Sequence, residues 1–115
     1  AETSHISTTM IDKVLVARVE REKLGDYESP GVQNDVTQAA QKLGWRIALD
    51  LSPVGLLSSS GLGLLLTLSK LCKANSGKLV LFGVKPEIMA VMKVTKVDRL
   101  FTLAADQAAA VRAAS

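Results

Sequence analysis

The spacing of apolar positions changes period several times along the chain, and each change predicts an element. Residues 11–19 are rich in β-branched side chains, with Val14, Val16 and Val19 set against Arg18. That is the pattern of a strand wet on one side. The preceding residues 1–9 are polar and rich in Ser and Thr, and are expected to fray. Glu20, Arg21, Glu22 and Lys23 then mark a strand end and a solvated turn. From Ser29 the period becomes helical: Val32, Val36, Ala39, Ala40 and Leu43 share one stripe, opposite Asn34, Thr37 and Gln41. Ser29 suits the helix start because its hydroxyl can accept from free N–H groups, and Pro30 lacks only an N–H that the first turn does not use. Gly44 ends this helix, and Trp45 opens the next strand as packing at the sheet edge.

The stretch 47–66 organises the rest of the chain. Ile47, Ala48, Leu49, Asp50 and Leu51 read as a strand, Ser52-Pro53 as a turn, and three serines with Gly61-Leu62-Gly63 lead into a leucine-rich helix over about 60–74. Leu64, Leu65, Leu68, Leu71 and Cys72 fall on its core face. Leu62 and Leu66 fall outside that face, among Ser69, Lys70 and Lys73, and either pack beneath a neighbouring element or form a partner surface. Gly77 ends the helix, and 78–82 make a second buried strand, parallel to the first through a right-handed crossover. Pro86 opens a third helix with Ile88, Val91, Met92 and Thr95 on one side and Met89 and Lys93 elsewhere. Residues 100–103 add an edge segment, and Asp106 caps a last Ala-rich helix. The prediction is one α/β domain over 1–115: a small mixed sheet, its early strand antiparallel and its later ones parallel, with about four helices.

Composition narrows the function. Of 115 residues 48% are hydrophobic but only four are aromatic, so the core is expected to be aliphatic. No apolar run can span a bilayer and no secretory type of amino terminus is present, which predicts a cytoplasmic protein without membrane insertion. The single Cys72 is predicted to be a buried structural thiol, and one His5 gives no metal cluster. The net charge of +3 is spread without aromatic partners, which argues against nucleic-acid binding. There is no Ser/His/Asp set, paired-carboxylate motif or Walker loop, so no enzyme and no cofactor are expected. A binding module remains. Its exposed helix start carries unpaired N–H groups and the positive end of a dipole, with Ser60 as the best-placed hydroxyl. Gly61 and Gly63 permit a tight loop and close approach there. Asp50, closing an apolar strand, is expected to accept hydrogen bonds from the following loop and so position 58–60.

Asp50-Leu51-Ser52, Ser59-Ser60-Gly61-Leu62-Gly63, Gly77-Lys78-Leu79-Val80-Leu81 and Pro86-Glu87, in that order and spacing, resemble the STAS domain, in particular the small bacterial anti-sigma factor antagonists. The likeness runs from about 47 to 101. It implies a STAS-like fold and a protein that, unmodified, binds an anti-sigma factor and frees its sigma factor. That anti-sigma factor is also a serine kinase and supplies ATP and Mg. The resemblance places its phosphorylation on the serine before Gly-Leu-Gly, here Ser60, with Ser59 and Ser58 as competing hydroxyls. The expected partner surface comprises Leu62, Gly63, Leu66, Met89 and Asp26, with Asp50 and Gly61 positioning the loop. Relatives usually carry an Asp where this chain has Ser58, and a second acidic position falls near Gly25 and Asp26, where only Asp26 can serve. Relatives also commonly carry a glycine at the position of Lys96. The alternative is a non-switching STAS module of a larger signalling or lipid-transport assembly.

Overall fold

The computed structural model describes residues 5–115. Ile6–Ile11 (β1) and Val14–Val19 (β2) form an antiparallel hairpin, in register from Ile6 opposite Val19 to Ile11 opposite Val14. Asp12 and Lys13 connect them at φ of 50° and 66°, positive values that two-residue hairpin turns require. The expected fraying is thereby corrected for residues 6–9, because Ser and Thr pair as readily as apolar residues on an edge strand; residues 1–4 lie outside the described residues. Lys23–Leu24 (β3) also contradicts the solvated turn read from the charges. Leu24 is fully buried, and β3 pairs in parallel with Leu56–Leu57 (β5) as a separate two-stranded sheet.

The first helix, Ser29–Leu43 (α1), buries Val32, Val36 and Ala40, with Ala39 half-buried. Leu43 is exposed, because the stripe continues into a last turn that overhangs the core. Ser29 does not cap. It sits inside the first turn, buried, where its hydroxyl donates to the Gly25 carbonyl at 2.6 Å, while Glu28 Oε1 accepts the Gly25 N–H at 3.1 Å.

Three further strands extend the main sheet: Arg46–Asp50 (β4), Lys78–Phe82 (β6) and Thr102–Ala104 (β7), in the order β1-β2-β4-β6-β7, every pairing after the hairpin being parallel. Trp45 therefore leads into the central strand and not an edge; it is half-buried against the core, and its carbonyl accepts the Lys78 N–H at 3.0 Å. The remaining helices are Ser59–Ala74 (α2), Pro86–Val94 (α3) and Gln107–Ala114 (α4), with a 3-10 turn at Asp98–Leu100. Because alternate strand residues face opposite sides, Leu15, Ile47, Leu49, Leu79 and Leu81 pack with side chains of α1, α2 and α3, including Val36, Leu65, Leu68 and Met92. Val14, Val16, Ala48, Val80 and Phe82 face α4, which contributes Ala110, Val111 and Ala114. Asp106 caps α4, accepting the Ala109 N–H at 2.9 Å. Cys72 is buried, and burial pushes its thiol up to about 12, so it stays protonated at neutral pH.

Both α2 and α3 end in the same way. The Gly77 N–H reaches the Cys72 carbonyl and Ser76 that of Lys73; Val97 reaches Met92 and Lys96 reaches Lys93. These are Schellman closures, in which the penultimate residue adopts left-handed geometry. Here that residue is Ser76 or Lys96, each at φ 61°. Gly77, expected to end α2, instead permits close approach: a Cβ there would stand 2.1 Å from the Trp45 carbonyl oxygen. Lys96→Gly and Ser76→Gly should each stabilise the fold by about 1 kcal/mol. Chemical denaturation would show it as a raised midpoint, and an unchanged or lowered midpoint would count against this account of the strain.

Candidate functional site

The start of α2 lies against β3 and β5 and faces α1 across a groove. At the end of β4, Asp50 Oδ1 accepts the Ser52 N–H at 2.9 Å, and Val54 N–H closes the same turn on the Leu51 carbonyl at 2.9 Å. The carboxylate acts two residues along, as a short Asx side chain does. The expectation that it positions 58–60 is corrected: those residues are held from β3. Ser58 N–H donates to the Leu24 carbonyl at 3.1 Å, and Ser58 Oγ accepts the Gly61 N–H at 3.3 Å. Ser58 is thus the cap of α2, which begins at Ser59, one residue earlier than the sequence pattern suggests. Serine and aspartate cap about equally well. Ser58 therefore holds the helix start without placing a charge there.

Gly61 is buried, and a Cβ on it would lie 2.4 Å from the Leu24 carbonyl oxygen and 2.6 Å from Leu57 Cδ1. Its bareness lets the first turn of α2 lie against β3. This turns the next hydroxyl outward: Ser60 is exposed, and its Oγ donates to Asp26 Oδ1 at 2.5 Å, across 34 residues of sequence. Ser59 is exposed beside it.

Leu62 and Leu66 are both half-buried, and Leu62 packs against the main core. Gly63 is exposed and open, with no atom within 4 Å of where a Cβ would stand. Across a groove of about 550 Å³, Gln33, Asn34 and Thr37 of α1 face Gly63 and Thr67 of α2, and Asp26 and Ser60 also line it. Met89 is half-buried on α3 and lies outside both this groove and the Ser60–Asp26 pair. On α3 the expected core side is narrower than the pattern implied: Ile88 and Met92 are buried, but Val91 and Thr95 are exposed. Two neighbours of the site were not foreseen. Tyr27, next to Asp26, is 92% exposed, and Leu56, two residues before the cap, is 58% exposed. Tyr27 had a signal, being a lone aromatic in a charged segment; Leu56 became legible only once β5 placed Leu57 inward.

Among the described residues no group of three or more His, Cys, Asp or Glu could hold a metal, and no helix is long and apolar enough to cross a membrane. His5 instead meets Asp35 of α1, Nδ1 to Oδ2 at 3.1 Å.

A family model for the STAS domain matches residues 5–110, so the chain belongs to the STAS-domain family. Its fold is similar to that of an anti-sigma factor antagonist from Mycobacterium paratuberculosis, with a TM-score of 0.82 and 19% identity over 95% of this chain and 92% of that one. It is also similar to an anti-sigma-factor antagonist (STAS) domain protein from Planctomyces limnophilus, at 0.78 and 23% identity over 94% and 96%. A third likeness is to the Bacillus cell fate determinant SpoIIAA in its phosphorylated form, at 0.68 and 19% identity over 94% and 98%. At these identities the likeness establishes the fold.

Proposed function

We propose that the protein is an anti-sigma factor antagonist, a cytoplasmic regulator of transcription that docks on an anti-sigma factor with serine-kinase activity and is released when Ser60 is phosphorylated. The observation that carries this reading is the hydrogen bond from exposed Ser60 to Asp26 at the start of α2. A carboxylate that already accepts the hydroxyl proton orients the Oγ lone pairs toward an incoming phosphorus. In the transfer, Ser60 Oγ bonds to the γ-phosphorus of the kinase's ATP, the bond to the β-phosphate oxygen breaks, ADP leaves, and Asp26 is placed to take the proton. The kinase supplies nucleotide and Mg; the antagonist needs no cofactor of its own.

The product explains release. Phosphoserine carries nearly two negative charges at neutral pH. It would face the Asp26 carboxylate it had hydrogen-bonded, so the pair must part and the docking surface change its charge. The fold is spared, because a helix start tolerates an anion. Leu62, Gly63 and Leu66 of α2, with exposed Tyr27 next to Asp26 and exposed Leu56 two residues before the cap, supply apolar and open surface for the partner; Met89 would join only if the partner reaches α3. Because Leu62 also packs against the core, Leu66→Ala should weaken the complex with little loss of stability, whereas Leu62→Ala should lower both by about 1–3 kcal/mol. Calorimetric titration beside thermal melts would separate the two, and equal melting losses would place Leu66 in the core as well.

One observation favours a second reading, a non-switching subunit of a larger signalling assembly: the cap of α2 is an uncharged serine, Ser58, where the resemblance to the antagonists implies an acid. Co-elution with the cognate kinase decides between them. The switch requires a complex with the unmodified protein that disappears after incubation with ATP; a complex insensitive to ATP supports the second reading.

A further inference from the structure

The main sheet has two edges, and they are not equally protected. Strand β7 closes one edge with three residues, too short to offer much to a pairing strand. Strand β1 closes the other with six. It contains no charge, proline or glycine, and its one-to-one register with β2 leaves no bulge, so the strand itself carries none of the usual devices against edge pairing. The direction of its backbone groups follows from one bond. Glu20 N–H donates to the His5 carbonyl at 2.8 Å, which makes His5 and Glu20 a hydrogen-bonded pair of the antiparallel ladder. Alternation then turns Ser7, Thr9 and Ile11 toward β2 and aims the N–H and C=O of Thr8 and Met10 away from the sheet. Among the described residues nothing pairs with these outward groups. The side chains of Thr8 and Met10 lie on the same face of β1 as Ile6, the face toward α1. A groove of about 320 Å³ runs between that face and α1, with Thr8, Ala39 and Leu43 along it. Leu43 is 47% exposed there, and Met10, next along the same face from Thr8, is 41% exposed.

We propose that β1 pairs with the β1 of a second copy of this chain, antiparallel about a twofold axis at Thr9, joining the two sheets into one. The phase of the outward groups selects this register. With Thr9 opposite Thr9 of the second copy, Thr8 of each chain faces Met10 of the other, and their outward N–H and C=O groups exchange bonds. The same pairing sets each Met10 beside the other copy's Thr8, at the groove that Thr8, Ala39 and Leu43 line, so apolar surface is covered on both sides of the axis. An unrelated strand would use the backbone groups alone; only a second copy brings the matching methionine to both grooves. Charge does not oppose it. The strand is uncharged, Asp35 at the groove is held by His5, and Lys42, on the exposed last turn of α1, keeps its head in water. A strip over 7–11 is only about 17 Å long, at the small end of specific interfaces, so the dimer is expected to be reversible in the micromolar to millimolar range. Ser60 stays open, because its groove uses the Gln33, Asn34 and Thr37 side of α1 and the dimer uses the Ala39 and Lys42 side.

The test is sedimentation equilibrium of the full chain from about 10 μM to about 1 mM, read beside amide hydrogen exchange at both ends of that range. The mass should rise from monomer to dimer and stop there. The amides of Thr8 and Met10 should become protected as concentration rises, while those of Ser7 and Thr9, already bonded to β2, stay as they are. Thr8→Pro removes an outward donor that the hairpin does not use, so it should abolish the dimer and keep the fold. Met10→Lys sets a charge on the edge and should weaken the dimer at least about tenfold with an unchanged melt. Should Thr8→Pro fail to fold, Met10→Lys and the alternating exchange pattern decide. Added salt should not weaken the dimer, as it would one held by ion pairs. A monomer at every concentration, growth beyond a dimer, a dimer indifferent to Met10→Lys, or protection centred on 58–66 or 88–101 in place of Thr8 and Met10 would each overturn the proposal.

Discussion

Ser60→Asp should fold as the wild type does and bind the anti-sigma partner about a hundredfold more weakly, the order of loss expected when a charge is set into a docking surface without a counter-charge. The fold should survive because Ser60 is exposed and lies in the first turn of α2, where the dipole favours an anion. The new carboxylate would sit against Asp26, the acceptor of the wild-type hydroxyl. Two like charges cannot hold that contact, so the segment around Asp26 and Tyr27 should shift away from α2. Titration calorimetry gives the affinity, and amide shifts at 25–28 report the rearrangement. Ser60→Ala removes the hydrogen bond without adding charge and should bind nearly as the wild type does. If Ser60→Asp binds at wild-type strength, charge at this position is not the switch.

Asp26→Asn should slow phosphorylation of Ser60 by about 10²-fold while leaving the melting temperature within a degree or two, since a positioned base typically contributes 10²–10⁴. Asparagine can still accept a hydrogen bond from Ser60, so the hydroxyl stays oriented, but the amide cannot take up the proton. The change should therefore appear in kcat and not in KM. A loss in KM alone would make Asp26 a docking residue, and no loss at all would mean that the kinase supplies its own base and that the 2.5 Å contact only holds the loop. Asp26→Asn also removes the carboxylate that phosphoserine would face. A phosphorylated Asp26→Asn protein should accordingly retain more of its partner affinity than phosphorylated wild type.

The core elements were legible because their apolar period is local. Strand 47–51, the leucine face of α2 and the Asp106 cap each depend on neighbours within a few residues. The surroundings of Ser60 were legible in part for the same reason: its exposed place at a helix start follows from a strand–loop–helix pattern, and the tight packing of Gly61 from the need for close approach. The link from Ser60 to Asp26 was not local. It depends on β3, a two-residue strand inside a charged run, pairing with β5 across 33 residues, as Lys23 does with Leu56. No periodicity can reveal so short a pairing. Asp50 accepts a backbone N–H of the following loop, as expected, but the reach of its short side chain ends at Ser52, and the anchoring of 58–60 comes from a backbone carbonyl, that of Leu24, which carries no side-chain signature. Val91 misled in the opposite direction: helical spacing says which residues share a side, not how wide a strip the neighbouring sheet covers.

The central claim is that Ser60 is the residue on which charge is written, and mapping the phosphoryl group tests it most directly. The protein is incubated with its cognate kinase and ATP, digested, and sequenced by tandem mass spectrometry beside Ser60→Ala, Ser59→Ala and Ser58→Ala. A single phosphoryl group on Ser60, lost only in Ser60→Ala, is the predicted result; labelling of Ser60→Ala at the wild-type rate, or no labelling of the wild type at all, would contradict it.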